Sequence, residues 1–173
     1  MTQANNLSDR LQKILGDDND LVNSFFLVFT RFEFALKAAD YKFRGRNQVA
    51  YADWNKFAQE QSKRFDPLHT DIKEAYGYLD SRPPKIQIIE SNELCWKDNH
   101  RGDQTDLAWC IHLVKTVRNN LFHGGKFPYH QTRDHNLLTA SLDVIAHLVN
   151  LNPEVEQKYM EMTGEQAWYQ PPY

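Results

Sequence analysis

The sequence predicts an all-α protein: a bundle of four to five core helices over residues 1–163, followed by a loose C-terminal tail at 164–173. Three observations lead there. Apolar residues recur mostly at steps of three and four over long stretches, the period of one buried helix face. Seven Gly and seven Pro in 173 residues are too few for a turn-rich β fold. Hydrophobic residues at 41% and aromatic residues at 13% supply a core for a chain of one-domain length. A mean hydropathy of −0.69 argues against an integral membrane protein, and the aromatic content argues against disorder.

The first long helix is expected over 21–41, with Leu21, Phe25, Val28, Phe29, Phe32, Leu36 and Ala39 on one face. Asp17, Asp18 and Asp20 suit its start, where carboxylates meet free N–H groups. The run Arg44-Gly45-Arg46-Asn47 closes it. A second helix is expected over 51–64 and a third over 66–79, with Pro67 in its first turn. Residues 81–103 form an irregular excursion. Pro83-Pro84 forbids helix, Lys85 to Glu90 alternates enough for a short extended piece, and Asp98 to Asp103 reads as a polar surface loop.

A fourth helix follows over 104–122, with Leu107, Cys110, Ile111, Val114, Val117 and Leu121 at near-heptad spacing. His123-Gly124-Gly125 ends it, because glycine takes the left-handed cap without steric cost. A fifth helix over 132–151 buries Leu137, Leu138, Leu142, Ile145, Leu148 and Val149. Pro153 opens a short last helix to about residue 163.

Net charge is −3, so no global basic field attracts nucleic acid and any such contact is local. Between Cys110 and His135, however, Lys115, Arg118, Lys126 and Arg133 face a single Asp134, among four histidines. Lys42, Arg44 and Arg46 make a second basic spot. Cys95 and Cys110 have no metal-binding spacing and read as reduced thiols. The polar N-terminus lacks a signal-peptide pattern, and the longest apolar run is five residues, so a cytoplasmic protein without membrane contact is expected.

The chemistry concentrates in Val117-Arg118-Asn119-Asn120-Leu121-Phe122-His123-Gly124-Gly125-Lys126. A histidine at a helix C-terminus has its protonated form favoured by the dipole. Beside a permanent guanidinium and two amides, such an imidazole suits acid–base chemistry on a phosphate. The plain structural alternative pairs Arg118 with a carboxylate and makes His123 a cap.

Arg118-Asn119, three residues, then His123 resembles the R-N-x3-H form of the Rx4-6H motif of HEPN-domain ribonucleases. Glu33-Phe34-Ala35-Leu36-Lys37 is similar to the E-x3-K element that accompanies the motif in several HEPN families. The resemblance covers most of 21–151 and implies a HEPN-like bundle from toxin–antitoxin or phage-defence systems. It also implies metal-independent RNA cleavage, in which the 2′-hydroxyl attacks phosphorus and leaves a 2′,3′-cyclic phosphate.

In that reading His123 is the general acid or base, and Arg118 binds the scissile phosphate and stabilises developing charge. Asn119 orients a neighbour, and Glu33 holds Arg118 or His123 in place. Lys37, Asn120, Lys126 and Arg46 bind substrate, and Phe127 and Tyr129 are candidates for stacking on bases. Residues five apart on a helix point about 140° away from each other, so one motif converges poorly. HEPN enzymes bring two motifs together by dimerising, and a homodimer with a composite site is expected here. The implied partners are RNA, such as tRNA or ribosome-associated RNA, and an antitoxin or other regulatory protein. Gly125 stands where some HEPN toxins carry a modifiable tyrosine, which puts that control mechanism in doubt.

No metal or other cofactor is expected, because His112, His123, His130 and His135 match no zinc spacing. A Cys–His hydrolase lacks a nucleophile turn around either cysteine. The main rival is a non-catalytic HEPN-like module for dimerisation or RNA binding.

Overall fold

The computed structural model describes residues 19–122 and 131–161. His123, Gly124, Gly125, Lys126, His130, the stacking candidates Phe127 and Tyr129, the acidic start at Asp17-Asp18 and the 164–173 tail lie outside them.

Helix α1 (Asn19–Ala38) buries Phe25, Phe29, Phe32, Ala35 and Leu36, the face its periodicity predicts. The Leu36 carbonyl accepts from the Tyr41 N–H at 2.9 Å, and Asp40 at φ 65° turns the chain out of the helix. Strands β1 (Lys42–Arg44) and β2 (Ala50–Ala52) then pair antiparallel around a 3₁₀ turn at Arg46–Gln48. Helix α2 (Trp54–Gln61) is capped by Asp53, whose carboxylate accepts from the Lys56 N–H at 2.9 Å. Helix α3 (Lys73–Ser81) begins seven residues later than its pattern suggests. Asp66 turns the chain first, its carboxylate accepting from the Leu68 N–H and its carbonyl from the His69 N–H.

Strands β3 (Ile86–Glu90) and β4 (Glu93–Lys97) form a second antiparallel hairpin. Ser91 and Asn92, both at positive φ, make its two-residue turn. Helices α4 (Asp106–Phe122), α5 (Gln131–Asn150) and α6 (Pro153–Glu161) complete the described chain. The Asn152 side chain caps α6 by accepting from Glu154 and Val155.

The all-α expectation is therefore corrected. Six helices dominate the described residues, but two small antiparallel sheets stand between them. The 44–47 helix stop is a hairpin tip, and the extended piece at 85–90 is one half of a second hairpin. The extended piece is borne out as β3, whereas its partner strand and the first hairpin escape a periodicity search because neither hairpin has a fully buried face to impose a clear apolar/polar alternation.

Helix α5 lies at the centre, packed on α1, α3, α4 and α6. Trp109, Phe25, Phe32, Phe57, Leu113, Leu137, Ile145 and Leu148 are fully buried between these layers. Each contributes roughly 1.5–3 kcal/mol of apolar burial. Polar ties lock distant elements together. The Tyr41 hydroxyl donates to Glu60 and accepts from Gln61 and Asn152, each at 3.0 Å. Arg31 of α1 donates to the Tyr159 carbonyl of α6 at 2.7 Å and stacks over its ring.

Helices α4 and α5 run antiparallel. The start of α4 reaches the end of α5 through Asp106, Tyr76, Phe65 and His147 in successive contact. At the other end, Asn120 of α4 and Arg133 of α5 both donate to carbonyls of the Pro83–Lys85 segment.

Candidate functional site

The last two turns of α4 carry the residues of interest, and the helix divides them between two faces. Lys115 and Arg118, three apart, point towards α1 and the start of α2. Asn120, about 200° round from Arg118, points the other way.

The first face is built on rings. Phe29 stacks on Trp54 with centroids 5.7 Å apart, and Phe32 meets the same indole edge-on at 5.5 Å. Phe26 packs against Phe122 at 5.2 Å. The Arg118 guanidinium lies 5.5 Å from the Phe29 ring and 5.6 Å from the Phe122 ring. The Lys115 ammonium lies 5.5 Å from the Trp54 ring. Such cation–ring contacts fix a long side chain at about 0.5–1 kcal/mol each near the surface while leaving its N–H groups available.

Arg118 spends one of those N–H groups on the Asn119 amide oxygen at 3.1 Å. Among the described residues, no carboxylate lies within ion-pair distance of Arg118 or Lys115. Burial holds the Lys115 ammonium below its usual pKa. The attraction of Glu33 opposes that shift and the repulsion of Arg118 adds to it, so all three charges share one field.

Glu33 is half-buried on α1 and acts on Lys115 through this field; the structure gives it no hydrogen bond to Arg118. Lys37 is half-buried one turn further along α1. Arg46 is exposed at the tip of the β1–β2 hairpin, next to the stacked pair Phe43 and Tyr51, whose centroids are 5.6 Å apart. Asn119 is exposed. His123 and Lys126 lie outside the described residues. Among the sequence candidates, the structure thus brings Arg118 and Asn119 into contact and sets Glu33 in the field of the adjacent Lys115.

Asn120 is committed elsewhere. It is 7% exposed, and its amide donates to the Lys85 carbonyl at 2.8 Å, fastening β3 to α4. Beside this fastening opens a cleft of about 440 Å³ rimmed by Arg82, Lys85, Asp98 and Arg133. Its charges are largely engaged. Lys85 pairs with Asp98 at 3.0 Å, holding that carboxyl below its usual pKa, and Arg133 donates to the Pro83 carbonyl. His112 stacks on Trp109 and bonds the Asn99 amide at 3.0 Å, and burial lowers its pKa. Cys110 is fully buried, which raises its thiol pKa and leaves no exposed nucleophile there.

Periodicity did not single out Trp54, and it noted Lys115 only as local charge. The signal available was the three-residue spacing of Lys115 and Arg118, which shares a face only once the segment is known to be helical.

Comparison of the chain with protein-family models, curated proteins and solved structures returned no match. Among the described residues no helix is long and apolar enough to cross a membrane. Chemically, the α1–α4 face presents two fixed cations that, among the described residues, have no carboxylate partner within ion-pair distance. The imidazole that would add proton transfer follows Phe122 directly in the sequence.

Proposed function

We propose that the protein is a metal-independent endoribonuclease of the HEPN type, cleaving RNA by 2′-hydroxyl attack to leave 2′,3′-cyclic phosphate ends. The observation that carries this reading is the Lys115–Arg118 pair, held by aromatic rings and, among the described residues, without a carboxylate partner; Arg118 precedes His123 by five residues in the sequence. A structural arginine is normally neutralised where it is half-buried. One left to face solvent on a ring platform is arranged to meet an outside anion, and a phosphodiester fits that charge.

Arg118 would bind the scissile phosphate and stabilise the phosphorane, with His123 transferring the proton. Asn119 orients the guanidinium, and Lys115, tuned by Glu33, adds positive field. A homodimer would place two such motifs in one cleft. The class of RNA and any antitoxin belong to the same proposal, in a toxin or defence setting.

A second reading has its own observation. The β1–β2 hairpin exposes Phe43 and Tyr51 beside Lys42, Arg44 and Arg46, a composition that binds RNA without any acid–base group. On that reading the protein is a non-catalytic RNA-binding or dimerisation module.

The experiment incubates wild type and His123→Ala with total tRNA and a single-stranded RNA in EDTA. Cleavage by wild type alone, with cyclic phosphate ends, is the expected result. Equal cleavage by both proteins overturns the assignment of His123. No cleavage, with RNA binding lost in a Lys42/Arg44/Arg46 alanine variant, favours the binding module.

A further inference from the structure

The connection between α2 and α3 and the last turn of α5 bring together three metal-ligating side chains far apart in sequence. His69, Asp71 and His147 each offer one ligand atom, and these three atoms all lie within 4.8 Å of one another. His69 Nδ1 is 3.6 Å from Asp71 Oδ2, and the two imidazole rings are 5.1 Å apart. A tetrahedral zinc ion with bonds of about 2.0–2.2 Å sets its ligand atoms roughly 3.3–3.6 Å apart. The His69–Asp71 pair already has that spacing, with His69 Nδ1 accepting from the Asp71 N–H at 3.3 Å, a bond that an ion on that nitrogen would displace; both side chains are exposed and able to rotate towards His147.

Two further features favour a cation here. His147 packs edge-on against Phe65, but its Nε2 is buried with no hydrogen-bond partner among the described residues. His147 also lies in the last turn of α5, where the helix dipole presents partial negative charge.

We infer that His69, Asp71 and His147 form a binding site for a divalent transition metal of the zinc class, with three protein ligands and a fourth position open to water. The site ties the α2–α3 connection to the end of α5. It revises the sequence expectation of no metal, which weighed His112, His123, His130 and His135 and had no motif for spacings of two and 76 residues. It sits at the opposite end of the antiparallel α4–α5 pair from Arg118, so it takes no part in the proposed RNA chemistry.

The test uses the full chain without an affinity tag, stripped with EDTA and dialysed. Co²⁺ is titrated with visible absorption as the readout, and Zn²⁺ is titrated by calorimetry. Wild type is expected to bind one ion per chain, with the d–d bands of a low-coordinate site that Zn²⁺ displaces. His69→Ala, Asp71→Asn and His147→Asn are each expected to weaken binding at least tenfold, whereas His123→Ala binds as wild type does. Zn²⁺ should raise the Tm of wild type and leave that of His69→Ala unchanged. Exposed His69 keeps the test valid if His147→Asn fails to fold. No binding by wild type, or wild-type binding by folded His69→Ala, overturns the inference. Either result leaves the ribonuclease reading standing, because that reading is tested in EDTA.

Discussion

The two faces of α4 use polar side chains in opposite ways. Towards α1, Lys115 and Arg118 rest on Trp54, Phe29 and Phe122 and keep most of their N–H groups for a ligand. Towards β3 and the 98–103 loop, Asn120 and His112 are spent on the Lys85 carbonyl and the Asn99 amide. One face carries cations on a platform of rings, and the other fastens a hairpin. Adjacent residues of one motif, Arg118-Asn119-Asn120, are divided between these tasks by helical rotation alone.

The largest effect expected is at Arg118. Arg118→Ala should lower RNA cleavage by about a hundredfold or more, the scale of losing a charge-stabilising donor. Its melting temperature should shift little, because only weak ring contacts are lost. Arg118→Lys should not recover activity, since an ammonium lacks the planar fork. Parallel gel assays and thermal melts check both points, and a large stability loss would make Arg118 a structural residue.

Asn120→Ala should do the reverse. It leaves the Lys85 carbonyl without its donor and should cost about 1–3 kcal/mol in a denaturant titration. Folded protein should still cleave RNA, so strong loss of activity at full stability would move Asn120 to the ligand face.

His112 sharpens the contrast through pH. Burial, then Lys115, depresses its pKa below the ordinary 6.5, so the unfolded chain binds the proton more readily than the folded one. Its contribution to stability is present above pH 6.5 and is lost as the pH falls below that value. The difference in stability between wild type and His112→Asn, measured across pH, should shrink on acidification. A difference that stays flat contradicts the buried neutral imidazole.

The smallest effect belongs to the outer face of the β3–β4 hairpin. Ile89 and Leu94 are cross-strand partners and are 73% and 71% exposed. Replacing either by Thr should change stability by no more than about 0.5 kcal/mol. A larger loss on chemical denaturation would mean that this face carries part of the anchoring assigned to Asn120.

The helices were legible because each buries a continuous stripe. Leu107, Cys110, Ile111, Val114, Val117 and Leu121 were expected inside α4, and all are buried except the half-buried Leu121. The extended piece at 85–90 was legible and is β3, but the pairing of either hairpin was not, because residues other than glycine take the positive φ of their turns. Asn47, Gln48, Ser91 and Asn92 take positive φ themselves, so Ser-Asn stood where Asn-Gly would have announced a turn. Of the candidate site, Arg118 was legible as a charge at the edge of a stripe. Its ring platform was not, because Trp54 and Phe29 meet it only through tertiary packing. His69, Asp71 and His147 were equally hidden, since only the fold brings them together.

The contact between α1 and α6 has a consequence for how the protein is made. Arg31 cannot reach Tyr159 until the last helix exists, and α5, which covers the rest of the same face, is also a late element. At about 5–20 residues per second, the stretch from Ala38 to Pro153 takes on the order of ten seconds to synthesise. During that interval Trp54 and Phe57 can cover Phe29 and Phe32, but the part of α1 that packs on α5 and α6 stays open. The ring platform of Lys115 and Arg118 is complete in sequence by Phe122, so it can form before α5 and α6 are made, whereas the rest of the α1 face waits for them.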